Sequence, residues 1–238
     1  MKNFADFLRK EAEKQHIFLS EDNIRQYDHF RTQLLKWNEK FNLTNITEPE
    51  EFASKHIIDS LMLCKLGDIM TGARLIDVGT GPGIPGLVVK IYRPDIKLSL
   101  LESVGKKTMF LRWIVNDMAI ADAEVINDRA ENIAHDPAYR EKFDVAVARA
   151  VAALNTLCEL CLPFVKGGGT FIAMKGKSPE DELELAENAL DILGGRVTEI
   201  QRYSLDKNVT RSLILVSKLG ESPSKYPRRP GVPVRKPL

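Results

Sequence analysis

The run Leu75-Ile76-Asp77-Val78-Gly79-Thr80-Gly81-Pro82-Gly83-Ile84-Pro85-Gly86 constrains this chain more than any other segment. A short apolar stretch enters three alternating glycines and leaves through Pro85, which a first helical turn accepts; this is the signature of a buried strand, a sharp turn and a helix start. Glycines at 79, 81 and 83 let the backbone turn tightly and let a ligand approach where a Cβ would clash. A strand passing directly into a helix is the repeating unit of a parallel sheet, and the alternation continues downstream. Strands are expected over 74–78, 97–102, 123–127, 143–148, 170–175, 197–205 and 212–217, with helices in most of the gaps. One such helix runs from Pro179 to Leu193 and stops at Gly194-Gly195. No helix is readable between the last two strands, so they form an antiparallel hairpin at the sheet edge, a feature that ordinary dinucleotide-binding sheets lack.

On either side of this α/β core the texture differs. Residues 1–70 read as a helical extension, with Ile24, Tyr27, Leu34, Leu35 and Phe41 at helical spacing after the start signal Ser20-Glu21-Asp22-Asn23. Residues 220–238 hold five prolines, which exclude regular helix and central strand, and the basic residues Lys225, Arg228, Arg229, Arg235 and Lys236 against the single acid Glu221. They read as an extended basic arm suited to phosphates, on a chain whose net charge is only +1, the alternative being a tail packed back on its own domain or merely solvated. The expected organisation is therefore extension 1–70, core domain 71–219 and arm 220–238.

Length and composition agree with one soluble domain plus an extension: 238 residues, 44% hydrophobic and 28% charged. No apolar run approaches the roughly 18 residues of a membrane span, and the opening segment is charged throughout, so the expected location is the cytosol. Cys64, Cys158 and Cys161 build no disulfide framework, and the single Cys-x-x-Cys reads as helix packing rather than as a zinc site. In a cytosolic protein the Asn-x-Thr matches at Asn42, Asn45 and Asn208 carry no glycosylation meaning.

The ligand of the glycine turn is read from its neighbours. Gly81-x-Gly83-x-x-Gly86 also satisfies the dinucleotide fingerprint, a weak signal alone. Asp77 discriminates, because an acid two residues before the first glycine suits a cationic amino-acid end and would repel a pyrophosphate. S-adenosylmethionine carries an ammonium and a sulfonium and no phosphate, which makes a class I S-adenosylmethionine-dependent methyltransferase the expectation. Glu102, 25 residues after Asp77, ends the second strand where an acid reaches ribose hydroxyls. Asn127-Asp128-Arg129-Ala130-Glu131 follows the third strand and is placed to reach an adenine. The fourth strand ends at Arg149, on the side where methyltransferases hold substrate. The sequence has no Asn/Asp-Pro-Pro-aromatic motif of exocyclic amine methylation, and no cysteine at that strand end for covalent attack on a pyrimidine.

Several segments together resemble the RsmG family, also called glucose-inhibited division protein B. They are Trp37-Asn38-Glu39-Lys40-Phe41-Asn42-Leu43-Thr44, His56-Ile57-Ile58-Asp59-Ser60-Leu61, the Asp77 to Gly86 turn, Lys106-Lys107 through Phe110-Leu111, Arg149-Ala150, Met174-Lys175-Gly176 and the closing Lys225 to Pro233. Glu102 departs from the pattern, which leads one to expect aspartate there. The resemblance implies a small-subunit ribosomal RNA guanine-N7 methyltransferase: a Rossmann-like, seven-stranded, mostly parallel sheet with a terminal antiparallel hairpin, preceded by a helical extension. It implies S-adenosyl-L-methionine as cofactor, 16S ribosomal RNA in the small subunit or its assembly particle as partner, and neither a membrane nor a stable protein partner. Cofactor contacts are then expected from Asp77, Gly79, Thr80, Gly81, Gly83, Ile84, Glu102, Ala130, Glu131 and Arg149, with Arg129, Arg149 and Lys175 at the reacting or RNA side. His56 is read as either a substrate contact or a link between extension and core, and Trp37 and Phe41 as packing. The rival readings are a methyltransferase acting on another RNA, a protein or a small molecule, a nicotinamide oxidoreductase, and a non-catalytic cofactor-binding, RNA-associated regulator.

Overall fold

The computed structural model describes residues 3–206 and 209–238, so Asn208 lies outside the described residues. The extension begins with α1 (Phe4–Lys14) and α2 (Glu21–Phe41). Ser20 caps α2 in a reciprocal box with Asn23, as its start signal requires, and Ile24, Tyr27, Phe30 and Leu34 form the buried stripe. Trp37 and Phe41 pack on each other with ring centroids 5.6 Å apart. The chain leaves α2 through Asn42 in the left-handed region, and the Asn38 side chain accepts from the amides of Leu43 and Thr44 at 2.6 and 2.9 Å. One continuous helical segment follows, made of α3 (Pro49–Phe52), a π-helical stretch over Ala53–Ile58, and α4 (Asp59–Leu66).

The core domain then runs β1 (Arg74–Val78), α5 (Gly86–Tyr92), β2 (Lys97–Leu101), α6 (Gly105–Asp117), β3 (Ala123–Ile126), α7 (Ala130–Ile133), β4 (Phe143–Arg149), α8 (Leu154–Cys161), β5 (Val165–Lys175), α9 (Glu180–Leu193), β6 (Gly195–Ser204) and β7 (Thr210–Lys218). The sheet order is β3-β2-β1-β4-β5-β7-β6; β1 to β5 are parallel, and β7 pairs antiparallel with both β5 and β6. The terminal hairpin expected from the sequence is thus present, with β7 inserted between β5 and β6. β6 and β7 each begin two residues earlier than expected, and β5 begins five earlier, at Val165 instead of 170. The register with β4 shifts between Phe143 and Val145, and Gly167-Gly168-Gly169 takes up the irregularity, so a glycine triplet that reads as a break is an internal bulge.

Neighbouring residues on each strand point to opposite faces, as the period of two demands. Leu75, Leu98, Val145, Val147 and Ile172 pack into one core with Phe4, Leu8, Tyr27, Phe30 and Phe52 of the extension and Phe110 of α6. Ile76, Val78, Ala146, Ala148 and Phe171 pack on the other face with Leu157, Cys158 and Cys161 of α8 and Leu190 of α9. Tyr27 is fully buried and donates to the Val88 carbonyl of α5 at 2.9 Å, fastening extension to core.

The tail corrects the expectation of an extended arm. It contains a helical turn, α10 (Val232–Arg235), whose proline falls in the first turn where its missing N–H costs nothing. Tyr226, Pro227 and Pro233 are buried, and Arg228 makes a multidentate pair with Glu159, a side chain of α8 with no exposure. The tail therefore packs back on the core domain. Among the described residues no helix is long and apolar enough to cross a membrane.

Candidate active site

The glycine turn joins β1 to α5 at the carboxyl edge of the sheet, where ligands of open α/β folds bind. Gly79 and Thr80 both donate their amides to the Leu101 carbonyl of β2, at 2.8 and 3.1 Å, which draws the turn over the neighbouring strand. Gly81 has φ +61° and no heavy atom within 4 Å of an ideal Cβ, so the turn is open there. A Cβ on Gly86, by contrast, would meet Asp77 Oδ2 at 2.8 Å.

Asp77 is fully buried beneath this turn. Its Oδ2 accepts from Thr80 Oγ1 at 2.6 Å and from the Gly86 amide at 2.7 Å. Its Oδ1 has no hydrogen-bonding partner among the described residues. Burial pushes the carboxyl up to about 6, against the opposing hydrogen bonds from Thr80 and Gly86. An unpartnered buried carboxylate oxygen beside an open glycine turn fits a ligand bearing an ammonium better than one bearing a phosphate.

Glu102 follows β2 and is also buried; it accepts from the amides of Gly81 at 3.0 Å and Val104 at 2.8 Å. These bonds fix its carboxylate against the turn and leave lone pairs for hydroxyl donors. Asn127 donates to the Glu102 carbonyl at 3.1 Å, so the loop after β3 flanks the same site. Ala130 opens α7 there. Glu131, expected to meet the cofactor, has its carboxylate engaged otherwise: Oε1 accepts from Arg129 at 3.2 Å and from the Gly231 amide of the tail at 2.9 Å. The backbone of Ala130 and Glu131 lies beside the same site.

Arg149 ends β4, but its guanidinium is held by the extension. It donates to the Lys55 carbonyl at 2.9 Å, to Asp59 Oδ2 at 3.1 Å and to His56 Nδ1 at 3.1 Å. Because an arginine only donates, Nδ1 is the bare nitrogen of His56, and Nε2 donates to Thr44 Oγ1 at 2.8 Å. Burial and then the charge of Arg149 push His56 down to about 3. Tyr203 of β6 donates to Asp59 Oδ1 at 2.7 Å. Thr44, Asp59 and Tyr203 thus join a network centred on Arg149, and none was singled out for it by the sequence. The signal for Asp59 was present in the spacing His56-x-x-Asp59; Tyr203 gave none. Ala150 follows in the left-handed region at φ +55°, a strained position for a residue with a Cβ, and Val151 leans over Gly79.

A cleft of about 410 Å³ opens beside this network, lined by Lys55, His56, Asp59, Arg149, Met174, Lys175 and Arg211 among others. Lys175 reaches it from β5, though not as a free cation: Nζ donates to the Ala152 carbonyl at 2.7 Å and to Glu182 at 2.6 Å. Arg129 is half exposed, with its guanidinium against Glu131. The structure therefore gathers Asp77, Gly79, Thr80, Gly81, Gly83, Ile84, Glu102, Ala130 and Arg149 on the carboxyl edge. It turns the side chains of Glu131 and Lys175 toward protein partners.

A family model described as GidB, rRNA small subunit methyltransferase G, matches residues 23–213. The chain belongs to this family. A relative from Clostridium novyi (strain NT), named ribosomal RNA small subunit methyltransferase G, is 42% identical over 238 residues, covering 100% of this chain and 98% of the relative. One of the same name from Moorella thermoacetica is 45% identical over 223 residues, covering 93% of each. Among solved structures, MtNAS in complex with MTA and tNA superposes with a TM-score of 0.56 at 16% identity, covering 80% of this chain and 70% of that one. A precorrin-6y C5,15-methyltransferase from Geobacter metallireducens gives 0.51 at 14% identity, covering 77% and 96%. Those likenesses are of fold, and the fold is that of class I methyltransferases.

Proposed function

We propose that this chain transfers the methyl group of S-adenosyl-L-methionine to N7 of a guanine in the 16S ribosomal RNA of the small subunit, in the cytoplasm where subunits assemble. The single observation that carries the reading is the open glycine turn with the unpartnered Asp77 Oδ1 beneath it, in a member of this family. Asp77 would hold the ammonium end, Glu102 the ribose, and the backbone at Gly79, Ile84, Ala130 and Glu131 the remaining contacts. When bound, S-adenosylmethionine supplies an electrophilic methyl on a sulfonium.

Guanine N7 is a ring nitrogen whose lone pair is free at neutral pH, so no proton must leave before transfer. The site agrees: the histidine and the acid that line the cleft are already engaged, His56 neutral between Arg149 and Thr44, and Asp59 between Arg149 and Tyr203. What the residues must do is position, exclude water and tolerate positive charge moving onto the base. Asp59 offsets the charge of Arg149 at 3.1 Å, which keeps that wall of the cleft from repelling a purine becoming cationic. Because N7 lies in the deep major groove of an A-form duplex, the target guanine must come from a loop or turn outward. Arg129 and Lys175 would meet the RNA around it, Lys175 by giving up Ala152 or Glu182.

The test is transfer of a tritiated methyl group to small subunits from cells lacking this protein, paired with calorimetry of S-adenosylhomocysteine binding. Label recovered as N7-methylguanine in 16S RNA is the expected result, and Gly81→Val should abolish cofactor binding in a folded protein. Label in protein or at another base position would overturn the reading.

A further inference from the structure

The loop that carries Ala130 and Glu131 is held inside by short-range backbone bonds and by Asn132 donating to Asp128 Oδ1 at 2.8 Å, all of them local in sequence. Its helix, α7, is four residues long and has no side chain capping its start. One helical turn with local bonds offsets little of its own nucleation cost, so contacts from outside the loop help to fix its shape. The long-range donors and acceptors among those contacts come from the tail. Glu131 accepts the Gly231 amide at 2.9 Å. His135 donates to the Pro227 carbonyl at 2.8 Å. Arg140 donates to the carbonyls of Tyr226 at 2.8 Å, Ser222 at 2.7 Å and Pro223 at 3.2 Å, and a further bond, to Ala134 at 2.9 Å, closes the loop on itself. The tail is in turn clamped to α8: the Glu159 carboxylate accepts the Arg228 amide at 2.7 Å and its guanidinium, and Thr156 donates to the Pro233 carbonyl at 3.3 Å. Glu159 has no exposed surface, so the clamp is internal structure and not a surface ion pair.

We propose that the tail is a positioning strap for the cofactor site, with Gly231 acting through Glu131 to set the loop after β3 before the ligand arrives. The proposal rests on the cofactor reading above. It assigns the tail a role that a basic arm reaching for RNA does not have, and it assigns the buried Glu131 side chain a task other than touching the ligand. The physical gain is preorganisation: a loop already ordered in the folded protein does not have to be ordered during binding. Removing the Gly231 N–H leaves the Glu131 carboxylate, 3% exposed, with one weakly placed partner, and the loop relaxes toward solvent to hydrate it.

Gly231 permits a clean test in the full-length chain. It has φ +81°, and an added Cβ would have its nearest neighbour, Arg235 Nε, only at 4.0 Å. Gly231→Asn keeps the N–H and tolerates the left-handed conformation; Gly231→Pro removes the N–H and cannot adopt it. S-adenosylhomocysteine affinity is measured by calorimetry for wild type and both variants, with amide hydrogen exchange followed in the ligand-free proteins. The expected result is binding about tenfold weaker for Gly231→Pro with exchange accelerated over 127–135 and unchanged over 74–92, and wild-type behaviour within about twofold for Gly231→Asn. Arg140→Gln, which removes the tail carbonyl contacts from the other side, should reproduce the loss and provides the reading if the proline variant folds poorly. Wild-type binding together with affinity unchanged within twofold in the folded variants overturns the strap; so does exchange that rises equally across the whole sheet. Failure of the wild type itself to bind would instead strike at the cofactor reading.

Discussion

Asp77 carries two opposed demands. Its backbone and hydroxyl donors hold the turn, while burial raises its carboxyl to about 6. The ligand-free folded protein therefore favours the acid form more than the unfolded chain does, and the group costs stability as pH rises from the ordinary carboxylate range to about 6. The cost is on the order of 3 kcal/mol at about 1.4 kcal/mol per unit. A bound ammonium reverses the preference, so S-adenosylhomocysteine affinity should rise roughly tenfold between pH 5 and 7.5, and Asp77→Asn should bind weakly at both. Calorimetry at the two pH values decides it, and a pH-independent affinity in the wild type would remove Asp77 from the site. His56 has the opposite sign. Held near 3 by burial and by Arg149, it contributes stability that is complete above about pH 6.5 and is lost as pH falls toward about 3. Between pH 7 and 4.5 this loss is about 3 kcal/mol, set against the roughly 2 kcal/mol that Asp77 regains, so denaturant melts should change little in the wild type and His56→Gln should become more stable toward pH 4.5; parallel pH profiles would mean that His56 is not the acid-labile group.

The strands were readable because apolar runs and glycine punctuation are local properties of a chain, and the sheet edge hairpin followed from a missing helix. The Arg149 network was not readable, because its members lie at positions 44, 56, 59, 149 and 203 and meet only through the packing of extension on sheet. The same holds for Lys175, which a strand-end position presents as a free cation. In the folded protein Glu182 accepts from both Lys175 and the Leu154 amide, at 2.6 and 2.7 Å, and joins β5, α8 and α9 at one point. Lys175→Ala should therefore lower the melting temperature as well as raise the KM for RNA, with cofactor affinity retained. A variant with unchanged RNA KM would show that the lysine is purely a joint between elements.

Across the molecule, the tail's charges divide into two sets. Arg228 is committed to Glu159, and Arg228→Ala should destabilise the protein by about 3–5 kcal/mol because it strands a buried carboxylate. Lys225, Arg229, Arg235 and Lys236 remain exposed on the outer side of the packed strap. If these meet RNA phosphates, replacing Arg229, Arg235 and Lys236 by glutamine should flatten the log–log salt dependence of subunit binding by roughly 0.7–0.9 for every phosphate no longer neutralised, with melting temperature unchanged. A slope equal to that of the wild type would place the RNA surface elsewhere. Proline content and charge identified the tail as unusual, but only its carbonyls and amides, which composition does not encode, say that it is folded against the domain. The activity proposed for the molecule as a whole is methyl transfer to guanine N7 in small-subunit RNA. It is tested most directly by mass spectrometry of nucleosides from 16S RNA of cells with and without this protein. One N7-methylguanosine present in the first and missing from the second, restored by the wild type and not by Asp77→Asn, is the predicted result. Identical N7-methylguanosine content in both would contradict it.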